Sequence, residues 1–557
     1  MSGTCVAVLS LSIPALAWAQ SPRPQHRAPA APPSIRAADL RTRLFALADD
    51  SMGGRDTGSP GNMKATDWIA SEFRRFGLEP AGDNGTFFQT LPFIRIASDP
   101  ASRLEVDSKR LALGTDFLPV GLAVLPRPIE GAQVVYGGSA NNPATWITAQ
   151  QAAGKLVVLI IAPGSSGRRG YVRAQGLTAN PRFSQAAAVA VAGLDLLPQQ
   201  FVARFLAGNI TTDTARNPAA PPGLLISPAA AGQLLGGDPS GLTPGAAGRT
   251  VHGEIGIARG PVQYPARNVV AILRGADPAL RNTYVSLSAH HDHVGFDRSP
   301  VDHDSLRAHN RVVRPMGADS PDSTPSPEQA ARIQAIRDSL RAQHPARLDS
   351  IYNGADDDGS GTVALLQIAR SLAAGPRPRR SILFVSHTAE ERGLLGSEWF
   401  TDHPTVPRDS IVAEIDDDMI GRGTAADVPG EGGPQYIEVV GARRLSREFG
   451  AILEAVNARQ PTPFRFNYEY DAPGHPGQYY CRADHYSYAR YGIPAVALSR
   501  GLHLDYHQVT DEPQYIDYDD FARVANLVRD AALTIANLDH RPVVDGPRAD
   551  PHAPCRQ

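Results

Sequence analysis

After Pro265 the chain settles into a repeating texture in which short, nearly unbroken apolar runs alternate with stretches of helical periodicity. The runs fall at 268–273, 284–289, 381–389, 411–415 and 495–499. Strand-length apolar runs separated by helical patterns predict a largely parallel sheet with helices on both faces. Upstream, an amphipathic helix is predicted over 66–76, after the glycine-rich turn Met52-Gly53-Gly54-Arg55. Between about 98 and 262 the pattern changes to short β-like runs, such as 133–136 and 156–161, set among Gly, Pro and Ala. Few titratable groups cluster there. The charged, Pro-containing segment 297–348 interrupts the second half and includes a helical stretch over 327–341. It reads as a solvated insertion or, failing that, an active-site lid. Residues 20–35 read as a Pro/Ala-rich linker with order beginning near Ala37, and the tail after Arg541 as disordered.

A chain of 557 residues is too long for one ordinary core, so two or three domains are expected. Acidic and basic groups nearly cancel, at net charge -3, which excludes field-driven attraction to nucleic acid or anionic membrane. The apolar stretch ending in Ala17-Trp18-Ala19 fits a cleaved export leader over 1–19, although no Lys or Arg precedes it. No later run reaches the ~18 apolar residues of a membrane span, so none is expected after leader removal. Only Cys481 and Cys555 would then remain, either as one bridge or as two unrelated thiols.

Chemistry-bearing residues sit where the predicted strands end. His290 closes the second run, Glu390 and Glu391 the third, and Asp418 follows the fourth; His507 comes after the last, and Asp357 opens a helix beginning near Ser360. Ligands gather at the carboxyl edge of such sheets. Singly, a histidine there is a surface residue and a carboxylate a helix cap. Together, their carboxylates would repel one another unless divalent cations were present, and the nitrogen and oxygen donors are those zinc accepts. Asp357, flanked by glycines in Asn353-Gly354-Ala355-Asp356-Asp357-Asp358-Gly359, is the candidate bridge between two ions, with Asp356 and Asp358 bonding the turn. In Ala289-His290-His291-Asp292-His293, alternation on a strand would let Asp292 orient His290, leaving His291 and His293 as bystanders. Glu390 and Glu391 would divide into one ligand and one proton-transferring base.

The motifs Ala-His-His-Asp-His-Val-Gly, Asn-Gly-Ala-Asp-Asp-Asp-Gly-Ser-Gly, Ala-Glu-Glu-Arg-Gly-Leu-Leu-Gly-Ser, Asp-Met-Ile-Gly-Arg and Tyr-His-Gln-Val-Thr-Asp occur in this order. The set resembles metallopeptidase family twenty-eight, the co-catalytic di-zinc exopeptidases. The resemblance implies an α/β zinc-exopeptidase fold with a central mostly parallel mixed sheet over 36–98 and 263–541. It implies an inserted β-rich protease-associated domain over 99–262, while 542–557 is left as the disordered tail. It further implies two Zn2+ ions per chain, one on His290 and Asp418, the other on Glu391 and His507, with Asp357 on both. Glu390 takes the general base position, Tyr506 a place from which an oxyanion can be hydrogen-bonded, and Asp484 and His485 a landmark expected at the substrate pocket. The expected activity is removal of N-terminal residues from peptides with a free amino end, in the periplasm or outside the cell. A carboxypeptidase, a glutaminyl-cyclase-like enzyme, or a non-catalytic peptidase-like binding protein are the competing readings.

Overall fold

Fully buried strands form the middle of the molecule in the computed structural model, which describes residues 1, 32–120, 127–161, 180–197, 199–212, 221–321, 323–424, 432–548 and 550–557. The strands of the main sheet are β1 (Glu79–Pro80), β2 (Phe88–Thr90), β3 (Arg267–Leu273), β4 (Tyr284–His290), β5 (Ser381–His387), β6 (Ile411–Asp417), β7 (Tyr436–Val440), β8 (Arg465–Asn467) and β9 (Ala495–Ser499). Their order is β1-β3-β5-β4-β6-β9-β7-β8, with β2 also paired to β3. β5, β4, β6 and β9 run parallel, while β3 and β7 run against their inner neighbours.

Every residue of β3, β4, β5 and β6 is buried, because both faces of the sheet are covered. Val285, Leu287, Ile382 and Phe384 pack on one side with α1 (Ala37–Leu47), α2 (Pro60–Arg75), α5 (Gly359–Ala374) and α6 (Tyr518–Ala536). Leu383, Val385 and Tyr284 face the other side, against Phe400 and Tyr488. α2 starts six residues before the predicted helix, since Ser59 accepts a hydrogen bond from the Asn62 amide and Pro60 suits the first turn.

The middle of the chain builds a separate eight-stranded sheet from strands lying between Arg103 and Ile255, with apolar clusters on its two sides. A further three-stranded sheet joins Phe93–Ser98, Asn209–Thr212 and Ile257–Pro261. The boundary expected at 98/99 falls at the end of the first of these strands.

Three expectations need correction. The segment 297–348 carries the expected helix, α4 (Pro327–Arg341), with no buried residue, but it is not solvated throughout: Phe296–Asp302 pairs with Leu348–Ile351, and α3 (His303–Val313) buries His303, Asp304, Ala308 and Asn310. Residues 33–35 are held, with Ser371 Oγ and Arg529 Nη1 donating to the Pro33 carbonyl and Asn526 bonded to Ile35. The tail is also held, by the Cys481–Cys555 disulfide, by Gln557 Oε1 accepting from the Tyr480 amide, and by Gly546 N donating to the Leu445 carbonyl. These contacts use backbone groups and a single covalent bridge, neither of which composition reports. The leader expected over 1–19 lies outside the described residues beyond Met1. Among the described residues, no helix is long and apolar enough to cross a membrane.

Candidate metal centre

The carboxyl ends of β4, β5 and β6 and the loop after β9 converge on Asp357. Its Oδ1 lies 3.2 Å from His290 Nε2, and its Oδ2 lies 2.9 Å from His507 Nε2. Asp418 Oδ1 approaches His290 Nε2 at 3.8 Å, and Glu391 Oε2 approaches His507 Nε2 at 3.0 Å. The five expected residues thus form two adjoining groups with Asp357 facing both. Asp358 lies near His290 and Asp418 as well. Its oxygens, however, already accept from the Gly361, Met419 and His290 amides, so it caps α5 and ties the strand ends together. The two adjacent glutamates do diverge: Glu391 turns to His507, while Glu390 Oε2 sits 3.8 Å from His290 Nε2 with its side chain 13% exposed.

His293, expected as a bystander, belongs to this cluster. Its Nδ1 is 2.8 Å from Glu391 Oε1 and 3.9 Å from Asp357 Oδ2. The two-residue alternation failed as a guide because β4 stops at His290. The same turn alters the role of Asp292. His290 Nδ1 meets the Asp292 main-chain carbonyl at 3.1 Å and lies 3.7 Å from its carboxylate, which also accepts from Thr57 Oγ1 and from the Glu390 amide. Asp292 therefore holds the glutamate loop as much as the histidine. His291 is bonded to Ser386 Oγ at 2.9 Å, away from the cluster. Asp484 and His485 do not line an open pocket: both are enclosed, at 1% and 0% exposure, where the short helix His485–Ala489 packs on the sheet. Tyr506 stacks on the His507 ring, with centroids 4.1 Å apart.

Arg55 was not singled out from the sequence as a functional residue. Fully buried, it donates to the carbonyls of His291, Leu47, Asn353 and Gly354, and so joins the loops that carry His290 and Asp357. Asp511 likewise accepts from the Asp356 and Asp357 amides. A further group of His303, Asp349 and Glu512 lies apart, and there Arg347, 2.6 Å from Glu512, already supplies positive charge.

The cluster's electrostatics fit divalent cations. Burial, with added repulsion from Asp357, Asp416 and Glu391, pushes Asp418 up to about 8 despite His290 nearby. Burial also lifts Glu390 well above the carboxylate range, helped by Glu391 and Asp418. Burial works against charge on His507, yet Glu391 and Asp357 carry it up to about 10. Buried Asp418 Oδ1 and His293 Nε2 lack hydrogen-bond partners, as donors intended for a metal would. Zinc accepts this set of imidazoles and carboxylates. Cation uptake must expel protons held by Asp418 below about 8 and by His507 below about 10, so affinity should rise with pH across that range. Calorimetric titration in two buffers of different ionisation enthalpy should register proton release, and a pH-independent affinity would contradict this assignment.

Residues 268–532 match the model of peptidase family M28. Leucine aminopeptidase 1 of Paracoccidioides brasiliensis (strain Pb18) is 31% identical over 205 residues, covering 35% of this chain and 49% of that protein. Aminopeptidase YwaD of Bacillus subtilis (strain 168) is 37% identical over 84 residues, covering 14% of this chain and 18% of its own. This chain thus spans about half or less of these curated relatives. In fold it is similar to the aminopeptidase from Aneurinibacillus sp. strain AM-1, with a TM-score of 0.51 at 15% identity, covering 93% of this chain and 98% of the other. The region that matches the peptidase family M28 model encloses every residue of the Asp357 cluster.

Proposed function

We propose that this protein is a two-zinc aminopeptidase that removes N-terminal residues from peptides bearing a free amino end. The observation that carries the reading is the Asp357 carboxylate, which offers one oxygen to the His290 group and the other to the His507 group, beside a glutamate outside both. His290 and Asp418 would hold one ion, Glu391 and His507 the other, and Asp357 both, with His293 close enough to join the second. Bound there, such ions supply Lewis acidity to the scissile carbonyl and to a water molecule.

Glu390 does the proton work. Its backbone is fixed by the Asp292 carboxylate, and its side chain remains partly open to the cleft. It takes a proton from the attacking water and returns it to the departing amine nitrogen, so the peptide C–N bond breaks with no net change in the enzyme. The Tyr506 hydroxyl, held near Arg482, is placed to donate to the oxyanion, and its own pKa, raised chiefly by burial, keeps it protonated for that role. Export to an oxidising compartment is part of the proposal, and the Cys481–Cys555 disulfide supports it.

Digestion of matched peptides with free and acetylated amino ends, read by mass spectrometry, tests the reading. Stepwise loss of N-terminal residues from the free peptides alone is expected, abolished by a chelator and restored by zinc. Trimming from the carboxyl end, conversion of N-terminal glutamine to its cyclic form without cleavage, or no turnover by metal-loaded protein would each overturn it.

A further inference from the structure

His507 stands on a loop, not on a strand, and its backbone lies in the left-handed region at φ 53. A side chain other than glycine persists there only where its surroundings over-determine it. Much of the surroundings comes from the inserted segment. Arg307 on α3 sends Nε and Nη2 to the two oxygens of Asp505, at 3.1 and 3.0 Å, and lays its guanidinium 3.5 Å from the Tyr515 ring centre. Asp505 lies two residues before His507, is wholly buried, and also accepts from Arg422 and Thr510. The same segment reaches the loop at three more points. Asn310 Nδ2 donates to the Leu504 carbonyl, the Ala318 amide to the Tyr506 carbonyl, and Arg482 pairs with Asp319 while lying beside the Tyr506 hydroxyl. Gly317 fits against the loop so closely that a Cβ there would meet the Tyr506 oxygen at 2.4 Å.

We propose that the segment 296–351 is a brace that sets the orientation of His507, and that Arg307 is its principal positioning residue, acting through Asp505. A bidentate fork fixes a carboxylate in direction as well as in distance, which a single contact does not. Asp505 in turn receives Arg422 from the loop after β6 and bonds Thr510 beyond His507, so the clamp spans both sides of the ligand. The brace meets the loop bearing His507 directly and reaches the loop bearing Asp418 through Asp505 and Arg422. Asp357 has further anchors in Asp511, at the end of the same loop, and in Arg55, which holds the Gly354 carbonyl. The inference rests on His507 being a ligand, and it assigns to the insertion a selective effect on one of the two cation positions.

The test is a Co2+ titration of the metal-free full-length protein, followed by absorption, for wild type, Arg307→Ala and Arg307→Lys. Wild type should show two binding steps. In Arg307→Ala, one step should weaken about 10–100-fold, the scale of lost outer contacts to a ligand, with the other unchanged. Arg422 still neutralises Asp505 in that variant, so the fold should survive; Arg307→Lys, which keeps the charge but loses the fork, should fall between the two. Amide exchange over 503–511 in the metal-free proteins should quicken in the same order, and this reads the brace whether or not cations bind. Two unchanged steps with unchanged exchange would overturn the proposal, as would equal weakening of both steps, the mark of a general structural role. A wild type that binds no Co2+ while the exchange order holds would instead remove the two-metal reading and leave the brace standing as a loop clamp.

Discussion

Glu390→Gln is expected to lower turnover by about 10²–10⁴-fold, the range that a positioned proton-transfer group contributes, while cation content stays near that of wild type. The amide matches the glutamate in shape and leaves the Asp292 contact to its backbone intact, so the loop should not move. It can neither take a proton from water nor deliver one to the amine. The carboxyl is raised well above its ordinary range by burial and by the acids around it, with His290 opposing. Cations in the neighbouring positions would bring it back down, which makes its basicity depend on their presence. Kinetics at saturating substrate, paired with metal analysis of the same samples, separates the two roles open to this residue. A variant that loses cations along with activity would make Glu390 a ligand; one that keeps full rate would remove it from the chemistry.

What the sequence made legible follows from where burial leaves a one-dimensional trace. β3, β4, β5 and β6 are covered on both faces, so they survive as apolar runs, and the groups that end them stand at one sheet edge because the strands are parallel. That logic reaches as far as the strands do. Once β4 ends at His290, the chain turns, and alternation misplaces His293, although it does bring the Asp292 carboxylate beside His290. Asp484 and His485 carried a motif but no sign of depth, and their burial depends on how a short helix meets the sheet. The insertion was misread for a related reason. Arg307 and Asn310 look like the polar face of a surface helix, yet they are turned onto the loop bearing His507, and a buried polar face is indistinguishable in sequence from a solvated one.

Arg55→Met is expected to destabilise the protein by about 3–5 kcal/mol, the cost typical of removing one partner from a buried charged contact. Arg55 is wholly enclosed, and its guanidinium donates to four main-chain carbonyls from three separate parts of the chain, at Leu47, His291 and Asn353-Gly354. Backbone acceptors have no residue type, which is why nothing in the sequence marks this position as a hub. Methionine fills much of the volume but supplies no hydrogen, so these carbonyls lose their shared donor in a site closed to water. Burial opposes the charge on Arg55, and Asp511, Asp292, Asp357 and Asp358 sustain it. The attraction works in both directions. Without the cation, Asp511, Asp357 and Asp358 hold protons more tightly, so divalent ions must compete harder and the pH at half-occupancy should move upward. Urea unfolding of the metal-free protein measures the first effect, and metal titration across pH measures the second. Loss of stability under 1 kcal/mol would show that the loops are held by other contacts. An unmoved pH midpoint would separate Arg55 from the electrostatics of the centre and leave it a purely architectural residue.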